Sequence, residues 1–477
     1  MKNSHRFYVN GKWVEPVGSG SIAVVNPSTE KEIGQISVGT SADVDLAVAA
    51  ARDALESFSQ TSREERIALL ERIMLQYKKR WDEMALCISQ EMGAPIGLAK
   101  TGQAGAGYQH FASALNVLKS FEFEQDRGNS KIIREPIGVC GLITPWNWPI
   151  HQIASKVAPA LACGCTMVLK PSEMAPFNAM IFAEVLDAAE LPPGVFNLVN
   201  GDGPTTGEAM SSHPGIDMMS FTGSTRAGVS VARASADSVK RVVQELGGKS
   251  PNILLDDADF EETVMRDVTR MMINAGQSCN APSRMLVPAA RLDEVKSIAA
   301  KAVESIVTGD PQDEATTLGP VVSESQWNRV QRYIEVGIEE GCETVTGGTG
   351  RPQGYETGYF VKPTVFVGCH NKCTIATEEI FGPVLCILTY TDIDNAVEIA
   401  NDTNYGLSAY VASSDVQRAT AVARRLRAGN VHINGKWGSE PMPFGGYKQS
   451  GNGREGGAFG FEDYLEMKAV IGCNASP

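Results

Sequence analysis

A regular alternation of short apolar runs with helix-like stretches, beginning at Val139, limits the fold more than any other feature of this sequence. Strands that alternate with helices at this spacing indicate right-handed crossovers and a mostly parallel, doubly wound α/β sheet. Ligands of such a sheet bind at the carboxyl ends of its strands. The predicted strands span residues 139–144, 166–170, 195–199, 218–222 and 241–246, and the predicted helices between them span 153–163, 178–190, 205–212 and 226–236.

Two other segments extend this plan. A second α/β alternation begins near Asn252, runs to Ile433 and carries Cys279. Between residues 115 and 139, apolar side chains flank the sequence Asp-Arg-Gly-Asn at 126–129, which predicts a protruding two-stranded ribbon. Because an exposed apolar ribbon aggregates unless a partner covers it, we expect the chain to self-associate. A length of 477 residues also predicts two or three domains.

Charge and cysteine usage exclude several classes of protein. The net charge of -14 argues against a general affinity for nucleic acid or for an anionic membrane. No run approaches the roughly 18 apolar residues that would span a bilayer, and the first nine residues lack the apolar stretch of a secretory signal. The ten cysteines form no matched pair of Cys-x-x-Cys motifs, so we predict free thiols, a cytoplasmic location and no metal site.

Cys279 is the candidate nucleophile. It lies in the small polar loop Gly-Gln-Ser-Cys-Asn at 276–280, at the end of a helix predicted to begin near Phe260. A thiol flanked by small residues, where helical periodicity gives way to a loop, is open to a substrate. Most single cysteines are packing residues, so this position alone does not establish chemistry.

Loops after the predicted strands carry polar groups that packing does not require. They are Thr-Pro-Trp-Asn-Trp-Pro at 144–149, Lys-Pro-Ser-Glu at 170–173 and Phe-Thr-Gly-Ser-Thr-Arg-Ala-Gly at 221–228. In the third loop a glycine precedes a helix N-terminus, whose unpaired N–H groups suit a phosphate. Glu245 ends another strand, and a carboxyl in a partly apolar cleft has a raised pKa and can act as a general base. A rigid turn or a salt-bridged glutamate explains each feature equally well at this point.

Five motifs share their order and spacing with one enzyme family. They are Phe-Thr-Gly-Ser-Thr at 221–225, Glu-Leu-Gly-Gly-Lys at 245–249, Gly-Gln-Ser-Cys at 276–279, Glu-Ile-Phe-Gly-Pro at 379–383 and Pro-Phe-Gly-Gly-Tyr-Lys-Gln-Ser-Gly at 443–451. Together they resemble the NAD(P)-dependent aldehyde dehydrogenase family, in its hydrolytic branch that does not acylate CoA. The resemblance extends from the first hairpin to the C-terminal tail.

This resemblance implies an α/β fold of three parts. A Rossmann-like, doubly wound NAD-binding domain would comprise residues 1–118 and 138–247. A second α/β domain, the catalytic domain, would comprise residues 248–448. A small β-ribbon oligomerisation arm with the C-terminal tail would comprise residues 119–137 and 449–477, and family members are mostly homodimers or homotetramers.

The resemblance also implies a mechanism. Cys279 attacks the aldehyde carbon, and the side-chain amide of Asn147 with the backbone N–H of Cys279 holds the resulting oxyanion. Loss of hydride to the nicotinamide leaves a thioester, which Glu245 hydrolyses through a water. Glu455 matches a second family glutamate that relays protons. The product is the carboxylic acid of a small-molecule aldehyde.

For the cofactor, the resemblance places Lys170 and Glu173 on the adenosine ribose, Ser224 on the pyrophosphate and Glu379 on the nicotinamide ribose. A carboxylate at Glu173 accepts hydrogen bonds from free ribose hydroxyls and repels a 2′-phosphate, so we predict NAD in preference to NADP. The complete predicted cofactor set is Ile143, Thr144, Pro145, Trp146, Lys170, Ser172, Glu173, Gly203, Phe221, Gly223, Ser224, Leu246, Glu379 and Phe381.

The sequence does not identify which aldehyde is the substrate. By family position the predicted tunnel residues are Trp148, Gln152, Ser155, Asn280 and Trp437. No arginine is evident beside Cys279 to bind a second carboxylate, which disfavours succinate semialdehyde.

The alternatives are a semialdehyde-specific or CoA-acylating relative, or a catalytically silent binding protein of the same fold. Glu245 disfavours CoA acylation, because that branch generally lacks this base. The joint presence of Cys279, Glu245 and Asn147 disfavours the silent protein.

Overall fold

The computed structural model describes residues 3–473, so the outer limits predicted at residues 1 and 477 lie outside the described part of the chain. Its strands are β1 (Phe7–Val9), β2 (Lys12–Val14), β3 (Ser21–Asn26), β4 (Lys31–Ser37), β5 (Glu124–Arg127), β6 (Ser130–Pro136), β7 (Val139–Ile143), β8 (Thr166–Lys170), β9 (Phe196–Leu198), β10 (Met218–Thr222), β11 (Arg241–Glu245), β12 (Pro251–Leu254), β13 (Arg284–Pro288), β14 (Glu343–Thr346), β15 (Thr364–Val367), β16 (Val384–Tyr390), β17 (Ser408–Ala412), β18 (Asn430–Ile433), β19 (Gly451–Asn452) and β20 (Leu465–Val470). Its helices are α1 (Ser41–Phe58), α2 (Arg63–Lys79), α3 (Trp81–Met92), α4 (Ile96–Leu98), α5 (Gly105–Ser120), α6 (Pro149–Cys163), α7 (Phe177–Ala188), α8 (Glu208–Ser212), α9 (Thr225–Ser235), α10 (Phe260–Met272), α11 (Leu292–Glu304), α12 (Glu324–Glu339), α13 (Thr374–Thr377), α14 (Ile393–Asn401), α15 (Val416–Ala423) and α16 (Phe459–Glu462).

The first sheet has eight strands in the order β19-β11-β10-β7-β8-β9-β1-β2. Its five central strands are parallel, and antiparallel neighbours close both edges. The chain lays β8 and β9 on one side of β7 and then returns to place β10 and β11 on the other side. This reversal opens a crevice between β7 and β10 of the kind in which doubly wound sheets bind their ligands. The predicted fold class is confirmed.

The register of this sheet brings the predicted polar loops to one edge. Ile143, the last residue of β7, lies opposite both Lys170 and Phe221. Thr222, which ends β10, lies opposite Glu245, which ends β11. The loops that follow these four strands therefore start side by side.

The second sheet has seven strands in the order β14-β15-β16-β13-β12-β17-β18 and is parallel except at the β14-β15 edge. The sequence analysis predicted an α/β alternation here but did not single out the pair at that edge. Strand β14 consists of Glu-Thr-Val-Thr with half-buried and exposed side chains, so it has no apolar run to reveal it. Helix α10 packs against this sheet and delivers the chain to Cys279.

Helix α6 is buried along almost its whole length. Pro149 begins the helix at a position where its missing N–H costs no hydrogen bond. The helix packs against α5 and beside β8, and its one cation, Lys156, is fully buried. A buried ammonium requires a partner, and Glu455 supplies it.

The predicted ribbon forms and joins the C-terminal strand. Strands β5 and β6 turn at Gly128, whose φ of +62° suits glycine, and β20 pairs with β6 in a three-stranded sheet. Phe121 and Phe123 lie just before β5, where the carbonyl of Phe123 accepts a hydrogen bond from the N–H of Arg134. The two rings contact each other, and Phe121 also contacts Phe461 of the same chain. No helix within residues 3–473 is long and apolar enough to cross a bilayer.

Candidate active site

The loop that carries Cys279 follows an abrupt change of chain direction. After α10, Asn274 and Ala275 adopt left-handed backbone angles, with φ of 57° and 55°, which is uncommon for residues with a side chain. Gly276 also has a positive φ, and a Cβ there would lie 2.1 Å from the carbonyl oxygen of Gly382. Such strained backbone persists only where the surrounding contacts hold it, and it is frequent at active sites.

Hydrogen bonds join this loop to the loop after β7. The Asn274 side chain donates to the backbone carbonyl of Asn147 at 2.8 Å. The Asn147 Nδ2 in turn donates to the carbonyl of Gln277 at 3.1 Å, and Trp148 Nε1 donates to Ser278 Oγ at 2.8 Å. Because an amide nitrogen carries two hydrogens, Asn147 keeps one donor for a ligand beside Cys279.

Cys279 is half-buried, and its thiol is not ionised in advance. Burial, followed by the carboxyl groups of Glu379 and Glu245, raises the pKa of Cys279 above its usual range. Two backbone N–H groups, those of Asn280 and Cys279, act in the opposite direction but do not prevail. The thiol is therefore neutral at physiological pH, and a nearby base must remove its proton before it can attack.

Glu245 lies at the end of β11 with its carboxyl group buried. Neither of its carboxyl oxygens has a hydrogen-bond partner in the described part of the chain. Burial, followed by the carboxylate of Glu455, raises the pKa of Glu245 well above its usual range. A Cβ at Gly445 would lie 2.7 Å from Glu245 Oε1, so the glycine-rich loop leaves room only for this carboxyl group. The sequence prediction of a general base is compatible with this setting.

A lysine that the sequence analysis missed accompanies the two glutamates. Lys156 Nζ contacts Glu455 Oε1 at 2.5 Å and Ser220 Oγ at 3.1 Å. This ion pair joins the interior of α6 to the C-terminal segment, 299 residues further along the chain. The sequence signal was a single lysine within an otherwise apolar helix.

The loops predicted to bind the cofactor start at one edge of the first sheet. Lys170 is buried, and its Nζ donates to the carbonyls of Pro171 and Gly201 at 2.9 and 2.7 Å and to Glu173 at 3.4 Å. Burial lowers the pKa of Lys170 from its usual range, and the Glu173 carboxylate opposes this effect. Glu173 itself is half-exposed, so it can face a ligand. Ser172 is buried and accepts a hydrogen bond from the N–H of Met174.

Two buried hydroxyl groups at this edge lack partners. Thr144 Oγ1 follows β7 and Thr222 Oγ1 ends β10, and neither makes a hydrogen bond to any residue within 3–473. Buried polar atoms are rarely left unsatisfied in a folded protein. Their position at the order reversal of the sheet fits a polar, elongated ligand such as a dinucleotide.

The predicted phosphate-binding residue has a second role. Ser224 caps α9, and its Oγ accepts a hydrogen bond from the N–H of Ala227. Phe221 fills the space beside Gly223, where a Cβ would lie 2.6 Å from its ring. Leu246 similarly packs against Gly228 at the first turn of the helix. Gly203 begins a π-helical turn, is exposed, and meets nothing within 4 Å at its Cβ position.

Both sheets contribute to the far end of the crevice. Glu379 Oε1 accepts a hydrogen bond from the N–H of Gly248 at 2.8 Å, and burial raises the pKa of Glu379 to about 7. Phe381, with a φ of 62°, meets Trp146 edge to face at 5.4 Å. Pro145 precedes Trp146 in the half-buried part of the same loop. Residues from the loops of the first and second sheets therefore touch here, and Gly248 lies against the carbonyl of Cys279.

The predicted tunnel residues come from two parts of the chain, the segment from Trp148 into α6 and the segments at Asn280 and Trp437. Trp148, Gln152 and Ser155 follow one another along α6 at helical spacing, and Gln152 Oε1 is buried without a partner among the described residues. Asn280 accepts a hydrogen bond from Tyr410 Oη at 2.8 Å. Trp437 is exposed and contacts His432 edge to face at 4.7 Å. Tyr410 and His432, which the sequence analysis did not single out, contact these predicted residues.

Comparison with known proteins places this geometry in context. A model of the "Aldehyde dehydrogenase family" matches residues 13–470. A "3-succinoylsemialdehyde-pyridine dehydrogenase" from a Pseudomonas species is 54% identical over 100% of both chains, and a "Putative aldehyde dehydrogenase" of Staphylococcus aureus is 46% identical over 99% of both. A mutant of Aldehyde Dehydrogenase C from Pseudomonas syringae, solved with NAD+ and octanal, superimposes with a TM-score of 0.99 at 53% identity, covering 100% of this chain and 98% of that chain. The NAD+ complex of a Mycobacterium tuberculosis aldehyde dehydrogenase has a TM-score of 0.95 at 39% identity, covering 98% of this chain and 97% of that chain.

Proposed function

This chain belongs to the aldehyde dehydrogenase family, and we propose that it oxidises an aldehyde to the carboxylic acid with NAD as the electron acceptor. The observation that carries the proposal is that Cys279, Asn147 and Glu245 lie close together. Asn147 follows β7 and Glu245 ends β11, both in the first sheet, whereas Cys279 follows α10, which packs against the second sheet. The test combines the purified chain with NAD and an aldehyde and measures both NADH and the acid. Absence of both products with every aldehyde tried would contradict the proposal.

The first chemical step needs a base and an oxyanion site. Glu245, once deprotonated, takes the proton of the Cys279 thiol, and the sulfur attacks the aldehyde carbon. The second Nδ2 hydrogen of Asn147 and the N–H of Cys279 then donate to the oxyanion. Each such donor is worth on the order of 10²–10³ in rate, because it is oriented before the charge develops.

The same base acts again after oxidation. When bound, NAD supplies the acceptor for the hydride that leaves the substrate carbon. Glu245 then takes a proton from the water that attacks the thioester, and the bond to Cys279 breaks. The Lys156–Glu455 ion pair lies beside Glu245 and offers a route by which the proton leaves.

We assign the cofactor to the crevice residues named from the sequence. Lys170 and Glu173 would hold the adenosine ribose, the N-terminus of α9 at Ser224 the pyrophosphate, and Glu379 the nicotinamide ribose. The unpartnered hydroxyl groups of Thr144 and Thr222 support this assignment. We propose the same domains as the sequence analysis, with residues 1–118 and 138–247 forming the NAD-binding domain and residues 248–448 forming the catalytic domain.

We expect NAD to be preferred to NADP, and the preference to depend on Glu173. Replacing Glu173 by glutamine removes the negative charge that repels a 2′-phosphate, so kcat/KM for NADP should rise about tenfold relative to that for NAD. The matched control is Glu208→Gln, which neutralises an exposed carboxylate in the nearby helix α8. Equal kcat/KM for the two cofactors in the unaltered chain would refute the preference.

We propose that the chain forms a homodimer or homotetramer through the ribbon and tail, and that it acts in the cytoplasm. Met467 on β20 is 61% exposed, and Ile471 just beyond it is 82% exposed, so the tail offers apolar surface to another subunit. Light scattering should give two or four times the chain mass of 51.1 kDa. A monomer in solution would contradict this assignment, and recovery of the protein outside the cytoplasm on cell fractionation would contradict the location.

For the substrate, we propose an aldehyde with an extended tail. Aromatic residues line the path outward from Cys279, among them Trp148, Tyr410 and Trp437. The names of two relatives indicate suitable probes, 3-succinoylsemialdehyde-pyridine and octanal. Acetaldehyde, which has no tail to fill the path, serves as the short comparison, and its oxidation at an equal kcat/KM would contradict the proposal.

A further inference from the structure

An aromatic wall extends from the catalytic loop to the protein surface. Tyr410, on β17, donates its hydroxyl to the carbonyl of Asn280, the residue after Cys279. His432 stacks on the Tyr410 ring at 5.0 Å with an interplanar angle of 17°, and Trp437 meets His432 edge to face. The wall begins at the residue that follows the nucleophile and ends at an exposed indole. A substrate tail that lay along it would reach the surface beside Trp437.

Arg270, in the last turn of α10, lies across this wall. Its guanidinium carbon is 5.8 Å from the centre of the Tyr410 ring and 5.5 Å from that of Trp437. Its Nη2 donates to the carbonyl of Gly435 at 2.8 Å. Its Nη1 is buried and makes no hydrogen bond to any residue in the described range 3–473.

Arg270 also has no salt-bridge partner in the described part of the chain. Within residues 3–473 no Asp or Glu oxygen lies within 4.0 Å of its guanidinium group. The nearest acid along the helix, Asp267, pairs instead with Arg266 at 2.7 Å and accepts a hydrogen bond from Asn252. Arg270 thus differs from its neighbour Arg266, which has a carboxylate partner and contacts the same loop at Asn434.

A buried guanidinium donor without an acceptor is unusual, because donors that lose water normally gain a protein partner. Arginine is suited to binding carbonyl and carboxylate oxygens, since its planar group presents several donors in fixed directions. We propose that Arg270 selects aldehydes whose tail carries an acceptor oxygen, a ketone or a carboxylate, and binds that oxygen while the wall contacts the rest of the tail. This inference rests on the proposed function and names its substrate class. It reverses the expectation that no arginine serves this site.

The test compares substrates that share an aldehyde and differ in the tail. 3-Succinoylsemialdehyde-pyridine carries a ketone, succinate semialdehyde carries a carboxylate, and octanal carries neither. Arg270→Met keeps an extended side chain against the aromatic rings and removes the charge and every donor. We expect kcat/KM for the preferred oxygen-bearing substrate, relative to that for octanal, to fall about 10–100-fold, mainly through KM. Arg270→Lys should restore part of the ratio, and the substrate with the larger fall identifies the acceptor as ketone or carboxylate.

The matched control is Arg266→Met, one turn earlier on α10. This variant removes a cation that holds the same loop but does not contact the wall, so the substrate ratio should stay within about threefold of the original while the melting temperature falls. An equal loss for all three substrates in Arg270→Met would show that Arg270 only supports the loop at Gly435, and would overturn the inference. Failure of the unaltered chain to oxidise any aldehyde would instead overturn the proposed function.

Discussion

Replacing Cys279 by alanine should lower the rate of NADH formation by about 10⁴-fold or more, because no other group in the site can form the covalent bond to the aldehyde. The small side chain removes the sulfur without adding bulk to a half-buried loop. Binding of NAD should be retained, since Lys170, Glu173 and Glu379 are untouched. Stopped-flow absorbance with the best aldehyde measures the rate, and titration of NAD fluorescence quenching measures the binding.

Two comparisons make the Cys279 result decisive. Cys473→Ser removes an exposed thiol at the end of the described chain and should leave the NADH rate within about twofold of the original. Equal melting temperatures of Cys279→Ala and the unaltered chain would exclude unfolding as the cause of a loss. Turnover of Cys279→Ala at the original rate would show that the nucleophile has been wrongly assigned.

The fold was largely accessible to sequence reasoning because its signals are local. The apolar runs that became β7, β8 and β10 are recognisable without knowing their neighbours, and their alternation with helices limits the topology. Strand β14 was not recognised in the sequence because its polar side chains lie at a sheet edge, where a run of buried apolar residues is not required. The contact of Phe121 with Phe461 could not be read from the sequence, because the two residues are far apart along the chain.

The residues of the candidate site were accessible only where a motif carried them. Lys156, Tyr410 and Arg270 had no such motif. The role of Lys156 depends on its ion pair with Glu455, which is 299 residues away along the chain. Without that contact, a lone lysine in a helix indicates a solvated face. Arg270 ends an amphipathic helix, where a cation is expected on electrostatic grounds alone. Only its contacts with Tyr410 on β17 and with the loop at Gly435 reveal that its buried Nη1 lacks a partner among the described residues.

The buried carboxyl group of Glu245 makes the stability of the protein dependent on pH. Burial and the neighbouring Glu455 carboxylate raise the pKa of Glu245 in the folded protein above the 4.5 of an unperturbed glutamate. At pH values between 4.5 and the raised pKa of the folded protein, Glu245 keeps a proton in the folded state that it has released in the unfolded chain. The free energy of unfolding therefore falls as pH rises through that interval. Glu245→Gln removes this titration and should therefore melt at a higher temperature than the unaltered chain at pH values above the interval. The difference should shrink toward zero as the pH falls below about 4, where both states are protonated.

The same substitution should lower kcat by about 10²–10⁴-fold, because the water that attacks the thioester loses its base. Because Glu245 also takes the proton of the Cys279 thiol, NADH formation in the first turnover should slow as well, and stopped-flow absorbance should show no fast burst of NADH. In the unaltered chain kcat should rise with pH through the raised pKa of Glu245, as the carboxyl group becomes able to accept a proton, and this limb should be absent from Glu245→Gln. Glu304→Gln, on the exposed face of α11, should keep both the limb and the rate. Hydrolysis at the original rate, or a pH limb that survives in Glu245→Gln, would assign the base to another group, with Glu455 the nearest carboxylate.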